Sequence, residues 1–165
     1  GLPLALILAP TRELALQVSR ELMWLFGKAG ARISTCVGGM DASKERRSLG
    51  HGTHIVVGTP GRLRDHLERG ALDLSATRVA VLDEPFRGVD IGARRRIGAA
   101  ARTRAAAGGA VLVLSSDVDE ILEVADRIVV LVNGAVALDT PAGASDRARI
   151  VAALLGDADH RKETA

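Results

Sequence analysis

The pair Asp83-Glu84 closes an apolar run, "RVAVL", at residues 78–82. Two acids at the end of such a strand are what a magnesium-dependent ATPase uses, one carboxylate for the metal ion and the next to orient the attacking water. A second chemistry is written upstream. Pro10-Thr11-Arg12 and Thr59-Pro60-Gly61-Arg62 each follow an apolar run, and each opens a helical pattern. A Thr, unpaired backbone amides and a nearby Arg at a helix start suit a phosphate, because the helix dipole and the free N–H groups favour an anion. Gly38-Gly39 follows the strand "ARISTCV" and lets a backbone approach closely. Three such places on one edge of one sheet make a strip that can track a nucleic-acid backbone. Aromatics are 2% of the chain, with no Tyr, which counts against base stacking.

These residues need strands and helices to hold them, and the chain alternates the two. "LALILAP" (4–10) is too short for a helix and is stopped by Pro10; Thr11 caps a helix with Leu14, Val18, Leu22 and Leu25 on one face, ended by Gly27 and Gly30. "ARISTCV" and "HIVVG" are strands. Asp41 caps a polar helix to about Leu49, and the helix opened by Thr59-Pro60 stops at Gly70. "RVAVLD" is followed by a long Ala/Arg helix capped by Asp90, and "AVLVLS" by a helix whose Asp117 and Glu120 have capping-box spacing. Arg94-Arg95-Arg96, at the start of the Ala/Arg helix, reads as a solvated face. "RIVVLV" and "AVALD" flank Asn133-Gly134, a type I′ hairpin signal, and a last helix runs from about Ser145 to Leu155. This alternation predicts an α/β fold: a mostly parallel sheet with helices on both faces and a C-terminal β-hairpin. We expect one domain over 1–156 and a disordered tail over 157–165.

Bulk properties narrow the classes. The net charge is +2, and 19 of the 22 basic residues are Arg because Lys occurs only at 28, 44 and 162. That permits phosphate binding without demanding it. The single cysteine, Cys36, allows no disulfide framework and no thiol metal site within one chain, and His51 and His54 are too isolated for one. A reducing, cytoplasmic setting fits. No apolar run approaches the ~18–20 residues needed to span a bilayer. The start, "GLPLALILAP", has neither a basic region nor a cleavage site, and reads as a strand that begins abruptly rather than as a signal peptide.

Over residues 4–84 the motifs resemble a known family. "APTRELALQV", the Gly38-Gly39 doublet, "IVVGTPGRLRDHL" and "VLDE" are similar in order and spacing to motifs Ia, GG, Ib and the start of motif II in the first domain of DEAD-box RNA helicases. The resemblance implies a P-loop NTPase-like (RecA-like) fold. It also implies an RNA-backbone surface at Pro10, Thr11, Arg12, Gly39, Thr59, Pro60, Gly61 and Arg62. The family continues motif II with Ala-Asp, where this chain has Pro85-Phe86. "SAT" at 75–77 matches motif III in letters only, since it precedes the acidic strand instead of following it.

The second half resembles another family. "VLDEPFRGVDIGARRRIG" and "AVLVLSSDVDEILEVADRIVVLVNGAV" are similar to the ATP-binding subunit of ABC transporters of the sugar-importer type, over about 79–140. That resemblance makes Asp83 the Walker B magnesium ligand, Glu84 the catalytic glutamate, and Gly88-Val89-Asp90 the D-loop. Ser116 stands where most of that family has its switch histidine, which counts against hydrolysis at this site. The chain then reads as a helicase-like half, 1–84, joined to an ABC-ATPase-like half, 85–156, across a shared Walker B strand.

No G-x-x-x-x-G-K-[ST] occurs in residues 1–165, so the Walker A loop and its strand are missing from the pattern. "RIVVLV" would lie beside that strand. Without it, "RIVVLV" must pair directly with "AVLVLS", leave an exposed edge, or recruit another chain. Three readings follow. One is an ATPase core that takes ATP and magnesium, the metal on Asp83, when a partner chain supplies the P-loop. The second is a binding module that holds RNA weakly, without a cofactor of its own. The third is a recombinant or designed chimera with no evolved function.

Overall fold

The computed structural model describes residues 1–156, so the tail expected over 157–165 lies outside the described residues. The chain falls into two compact units. The first is Gly1–Gly88 with Thr103–Leu114; the second is Val89–Arg102 with the chain from Ser115 onward. The sequence reading draws one domain over 1–156 with a join at 84/85, whereas the unit boundaries fall after Gly88, Arg102 and Leu114.

The first unit is built on β1 (Ala5–Leu8), α1 (Arg12–Phe26), β2 (Ile33–Cys36), α2 (Ala42–Gly50), β3 (Ile55–Gly58), α3 (Pro60–Glu68), β4 (Val79–Asp83) and β5 (Ala110–Leu114). The five strands form one parallel sheet in the order β2-β3-β1-β4-β5. Successive side chains of a strand point to opposite faces, and the two cores follow that rule. Leu6, Leu8, Cys36 and Val56 pack with Leu49 of α2 and Leu63 of α3. Ile7, Ile33, Ile55 and Val57 pack with Ala15, Leu14, Val18 and Leu22 along α1. Both faces of β1–β3 are therefore covered by helices, which is why β1 and β3 read as unbroken apolar runs. The sheet continues across residue 84, because β4 pairs with β5 from Val79↔Ala110 to Asp83↔Leu114.

The caps follow the sequence in most places. Thr11 Oγ1 accepts from the Leu14 amide, and Asp41 accepts from the Ser43 and Lys44 amides. Gly30 ends the turn after α1 in the left-handed region, at φ 71°.

In the second unit, α5 (Val118–Val124), β6 (Arg127–Val132), β7 (Ala135–Pro141) and α6 (Arg147–Leu155) enclose a small core of Ile128, Val130, Ile150 and Ala153. Asn133 and Gly134 have φ of 50° and 80°, as a type I′ turn requires. Among the described residues β6 pairs with β7 alone, antiparallel, so the direct pairing of "RIVVLV" with "AVLVLS" does not form and β5 is an outer strand of the parallel sheet. α4 (Ile91–Ala106) begins in this unit, with Asp90 Oδ1 accepting from the Ala93 amide.

Three local expectations change. Arg94 is not on a solvated face: its guanidinium meets the buried Glu120 carboxylate at 3.0 Å. Glu120 therefore does not serve as the returning half of a capping box. It accepts from Ser115 Oγ, and the Asp117 amide donates to that same hydroxyl. The Asp117 amide thus finds its acceptor in Ser115, which leaves the Glu120 carboxylate for Arg94. α6 starts two residues late, at Arg147, because the Asp146 carboxylate caps the Arg149 amide.

Candidate nucleic-acid interface

A parallel sheet sends all its strands out at the same edge, so the segments after β1, β2 and β3 emerge together. They carry Pro10-Thr11-Arg12, Gly38-Gly39-Met40 and Thr59-Pro60-Gly61-Arg62 respectively. The structure ties the three to one another. Arg12 Nη1 donates to the Gly38 carbonyl at 3.3 Å, and Arg62 Nη2 donates to the Met40 carbonyl at 2.9 Å. The two arginines thus hold the Gly38–Met40 loop from its two sides. Gly39, between them, has φ 76°, and a Cβ there would sit 2.6 Å from Arg12 Nη1. Only glycine passes this point without strain.

Pro10, Thr11, Arg12, Gly39, Pro60 and Gly61 are exposed, and Thr59 and Arg62 are half-buried. Pro60 occupies the first turn of α3, where its missing N–H costs nothing. Thr59 opens α3 without a side-chain hydrogen bond to it, and its amide donates to the Cys36 carbonyl at 3.1 Å. That bond brings β2 and β3 so close that a Cβ on Gly58 would meet the same carbonyl at 2.5 Å. The backbone therefore fixes where α3 begins.

Beneath the loop lies a buried group that sequence reading did not find. Glu45, on α2, accepts from the Val37 amide at 3.1 Å through Oε1 and meets His66 Nε2 at 2.6 Å through Oε2. Arg62 Nε is 3.6 Å from that same Oε2. Among the described residues, His66 Nδ1 has no hydrogen-bond partner. The tautomer with hydrogen on Nε2 leaves only a lone pair unmatched, which is cheaper than an orphaned donor. Cys36 completes the group: its thiol, the carboxylate and the imidazole lie within 4.8 Å of one another, all buried. Burial, with the Glu45 charge adding to it and Arg62 opposing it, pushes the thiol up to about 12. Arg62 supplies a positive charge beside Glu45. The signal in the sequence was spacing: Glu45 is four residues after its cap Asp41, and His66 is four residues after Arg62.

The acidic pair sits at the same edge. Asp83 is the last residue of β4 and half-buried; Glu84 follows with φ 46°. A non-glycine residue in the left-handed region costs ~1–2 kcal/mol, and such strain collects where a fold over-determines a residue. The Glu84 amide donates to the Leu114 carbonyl at 2.8 Å, which holds it there. Asp83 and Glu84 offer carboxylates to a magnesium nucleotide, but no loop of residues 1–165 has the P-loop pattern that would cradle its phosphates. The residues present therefore do not fit Mg-ATP by themselves. Of the D-loop segment, Gly88 turns at φ 74° in the first unit, while Val89 and Asp90 belong to the second. Ser116 is exposed, two residues beyond β5, and also belongs to the second unit. A cleft of about 340 Å³, lined by Pro3, Leu49, Thr53 and Leu72 among others, opens before the starts of β1 and β3, at the opposite edge from the candidate residues.

The pattern of the DEAD/DEAH box helicase family matches residues 2–115, and so runs past Glu84. The chain is 46% identical over 90 residues to the pre-mRNA-splicing ATP-dependent RNA helicase PRP28 of Debaryomyces hansenii, covering 54% of this chain and 16% of that protein. It is 46% identical over 80 residues to the DEAD-box ATP-dependent RNA helicase CshA of Geobacillus kaustophilus, covering 48% of this chain and 17% of that protein. Among solved structures, the yeast DEAD-box splicing factor Prp28 superposes with a TM-score of 0.56 at 29% identity, over 73% of this chain and 30% of that one. A hypothetical ATP-dependent RNA helicase from Sulfolobus tokodaii gives 0.60 at 26% identity, over 74% and 37%. The chain thus spans well under half the length of these relatives. With its strand-end motifs in place on a RecA-like parallel sheet, and with the family pattern running over residues 2–115, this chain belongs to the DEAD/DEAH box helicase family.

Proposed function

We propose that the edge formed by Pro10, Thr11, Arg12, Gly39, Thr59, Pro60, Gly61 and Arg62 binds an RNA backbone, weakly and without sequence preference. The observation that carries this reading is the pair of bonds from Arg12 to Gly38 and from Arg62 to Met40, which joins three strand ends into one strip. Phosphate contacts of this kind position a strand without reading its bases. The test is fluorescence anisotropy of labelled single-stranded RNA across a salt series. Three phosphate contacts give a log–log slope of about −2, from roughly −0.7 each. Replacing Arg12 and Arg62 together flattens it. Binding that ignores salt, or that persists in the double variant, sinks the reading.

In this proposal the chain is not an autonomous ATPase. Asp83 takes magnesium and Glu84 orients water only when a P-loop is supplied from outside residues 1–165. One observation supports such completion: β5 is the outer strand of the sheet, and Leu112 and Leu114 on it are 54% and 43% exposed. Unpaired strand edges accept another strand. A second chain, or a further segment of the same one, that restores tight Mg-ATP binding when added would support this reading; failure of every P-loop-bearing fragment to do so would remove it.

The assignment of residues 85–156 to an ABC-like half, with Gly88-Val89-Asp90 as a D-loop and Ser116 in the switch position, rests on the letters and order of those motifs. So does a chimeric origin. None of the relatives named above is an ABC ATPase. No helix among the described residues is long and apolar enough to cross a membrane, and a cytoplasmic setting is part of the proposal.

A further inference from the structure

We infer that Glu45 is a positioning residue for the RNA-binding edge: it holds the Gly38–Met40 loop in its binding shape, acting through Arg62 and the Val37 amide. This rests on the reading of that edge given above.

The geometry is a short chain of contacts. Glu45 Oε1 accepts from the Val37 amide, the last backbone donor before the loop. Glu45 Oε2 faces Arg62 Nε, and the other end of that guanidinium donates to the carbonyl of Met40, the last residue of the loop. One carboxylate thereby governs both ends of a turn whose middle residue, Gly39, is exposed in a left-handed conformation. The Arg62 side chain is only 15% exposed, and the Glu45 side chain 4%. A guanidinium so enclosed, with Nε at Glu45 and Nη2 on the Met40 carbonyl, braces the loop. His66, fully buried and bonded to the same Oε2, fixes the carboxylate's rotamer. A planar guanidinium spans two acceptors at fixed separation, which a lysine ammonium cannot do.

The inference makes an electrostatically unexpected demand. Glu45 is an acid beside a surface proposed to bind an anion. If it were a bystander, removing its charge would leave RNA binding unchanged or tighten it. If it positions the loop, Glu45→Gln weakens binding although the protein gains net positive charge. The Gln carbonyl can still accept from Val37, but its amide faces Arg62 Nε as a second donor, and the brace to Met40 is released. We expect binding about tenfold weaker, the effect of losing one charge-assisted hydrogen bond.

The experiment measures single-stranded RNA affinity across a salt series for the wild type, Arg12→Ala, Glu45→Gln and Arg62→Lys, each at a temperature where circular dichroism shows it folded. Arg62→Lys keeps the charge and loses the two-acceptor span, so it should fall with Glu45→Gln; it also covers the case in which Glu45→Gln does not fold. The double variant Glu45→Gln/Arg62→Lys should be no worse than either single one, because both break the same chain. If Arg12→Ala weakens binding while Glu45→Gln and Arg62→Lys bind as tightly as the wild type or more so, the positioning role is overturned and the RNA edge stands. If Arg12→Ala also has no effect, the edge itself is wrong and the inference falls with it.

Discussion

Glu45 and His66 meet at 2.6 Å, carboxylate Oε2 against imidazole Nε2, with both side chains buried between α2 and α3. Removing one partner of a buried, hydrogen-bonded acid strands the other. His66→Ala should therefore destabilise the first unit by roughly 2–4 kcal/mol, from a lost charge-assisted bond and the space left behind. Urea denaturation followed by circular dichroism measures it. A change near zero would mean that water replaces the imidazole without loss.

Gly39→Ala tests the loop from its other side. At φ 76°, with Arg12 Nη1 2.6 Å from the new Cβ, alanine meets both backbone strain and a displaced guanidinium. The strain alone is worth about 1–2 kcal/mol. The side chain can swing away, so the larger effect should be on RNA affinity, measured as above. Wild-type affinity in Gly39→Ala would separate the Arg12–Gly38 contact from binding.

Cys36 should be inert while the protein is folded. Burial pushes its thiol up to about 12, so almost no thiolate exists at pH 8. Ellman's reagent should react only after denaturant unfolds the chain. The folded-state value lies above the ordinary one of 9.0, so the associated stability is full below pH 9 and falls as pH rises from there towards 12. Rapid labelling of the native protein at pH 8 would contradict this.

At the acid end the helix caps set the sign. The Asp41 carboxyl is held below its usual range by the Ser43 and Lys44 amides, and the Asp90 carboxyl mainly by the Ala93 amide. Their contribution is present above the ordinary carboxylate value and lost as pH falls through the lowered one. Asn caps a helix but does not titrate. Asp41→Asn/Asp90→Asn should therefore leave stability at pH 7 little changed and flatten its decline below about pH 4. Thermal melts across that range give the comparison; an unaltered acid limb would move the cause elsewhere.

Hydrolysis should be absent from the chain alone. Phosphoryl charge is stabilised mainly by P-loop amides, their Lys and magnesium, and losing even one preorganised donor costs about 10²–10³ in rate. Phosphate release should match background with or without RNA, and Glu84→Gln should change nothing. Turnover that depends on Glu84 would show that the site is completed by another segment.

The alternation of apolar runs with capped, glycine-ended helices determined the elements of this protein, because caps and turns are local bonds between neighbours a few residues apart. The parallel sheet followed from the same pattern, since strands separated by helices return in the same direction. Thr11, Asp41, Asp90 and the Asn133-Gly134 turn act as their sequence positions required. What only the tertiary structure decided are the pairings between distant residues: Arg62 with Met40, Glu45 with His66 and Val37, Arg94 with Glu120. A charged residue on a helix looks the same in sequence whether it faces water or a buried partner. The strand order β2-β3-β1-β4-β5 decided that Glu45, His66 and Cys36 converge, by setting β3 between β2 and β1 and bringing α2 and α3 together over one face. Burial then set the Glu45 carboxylate against His66 and the Val37 amide.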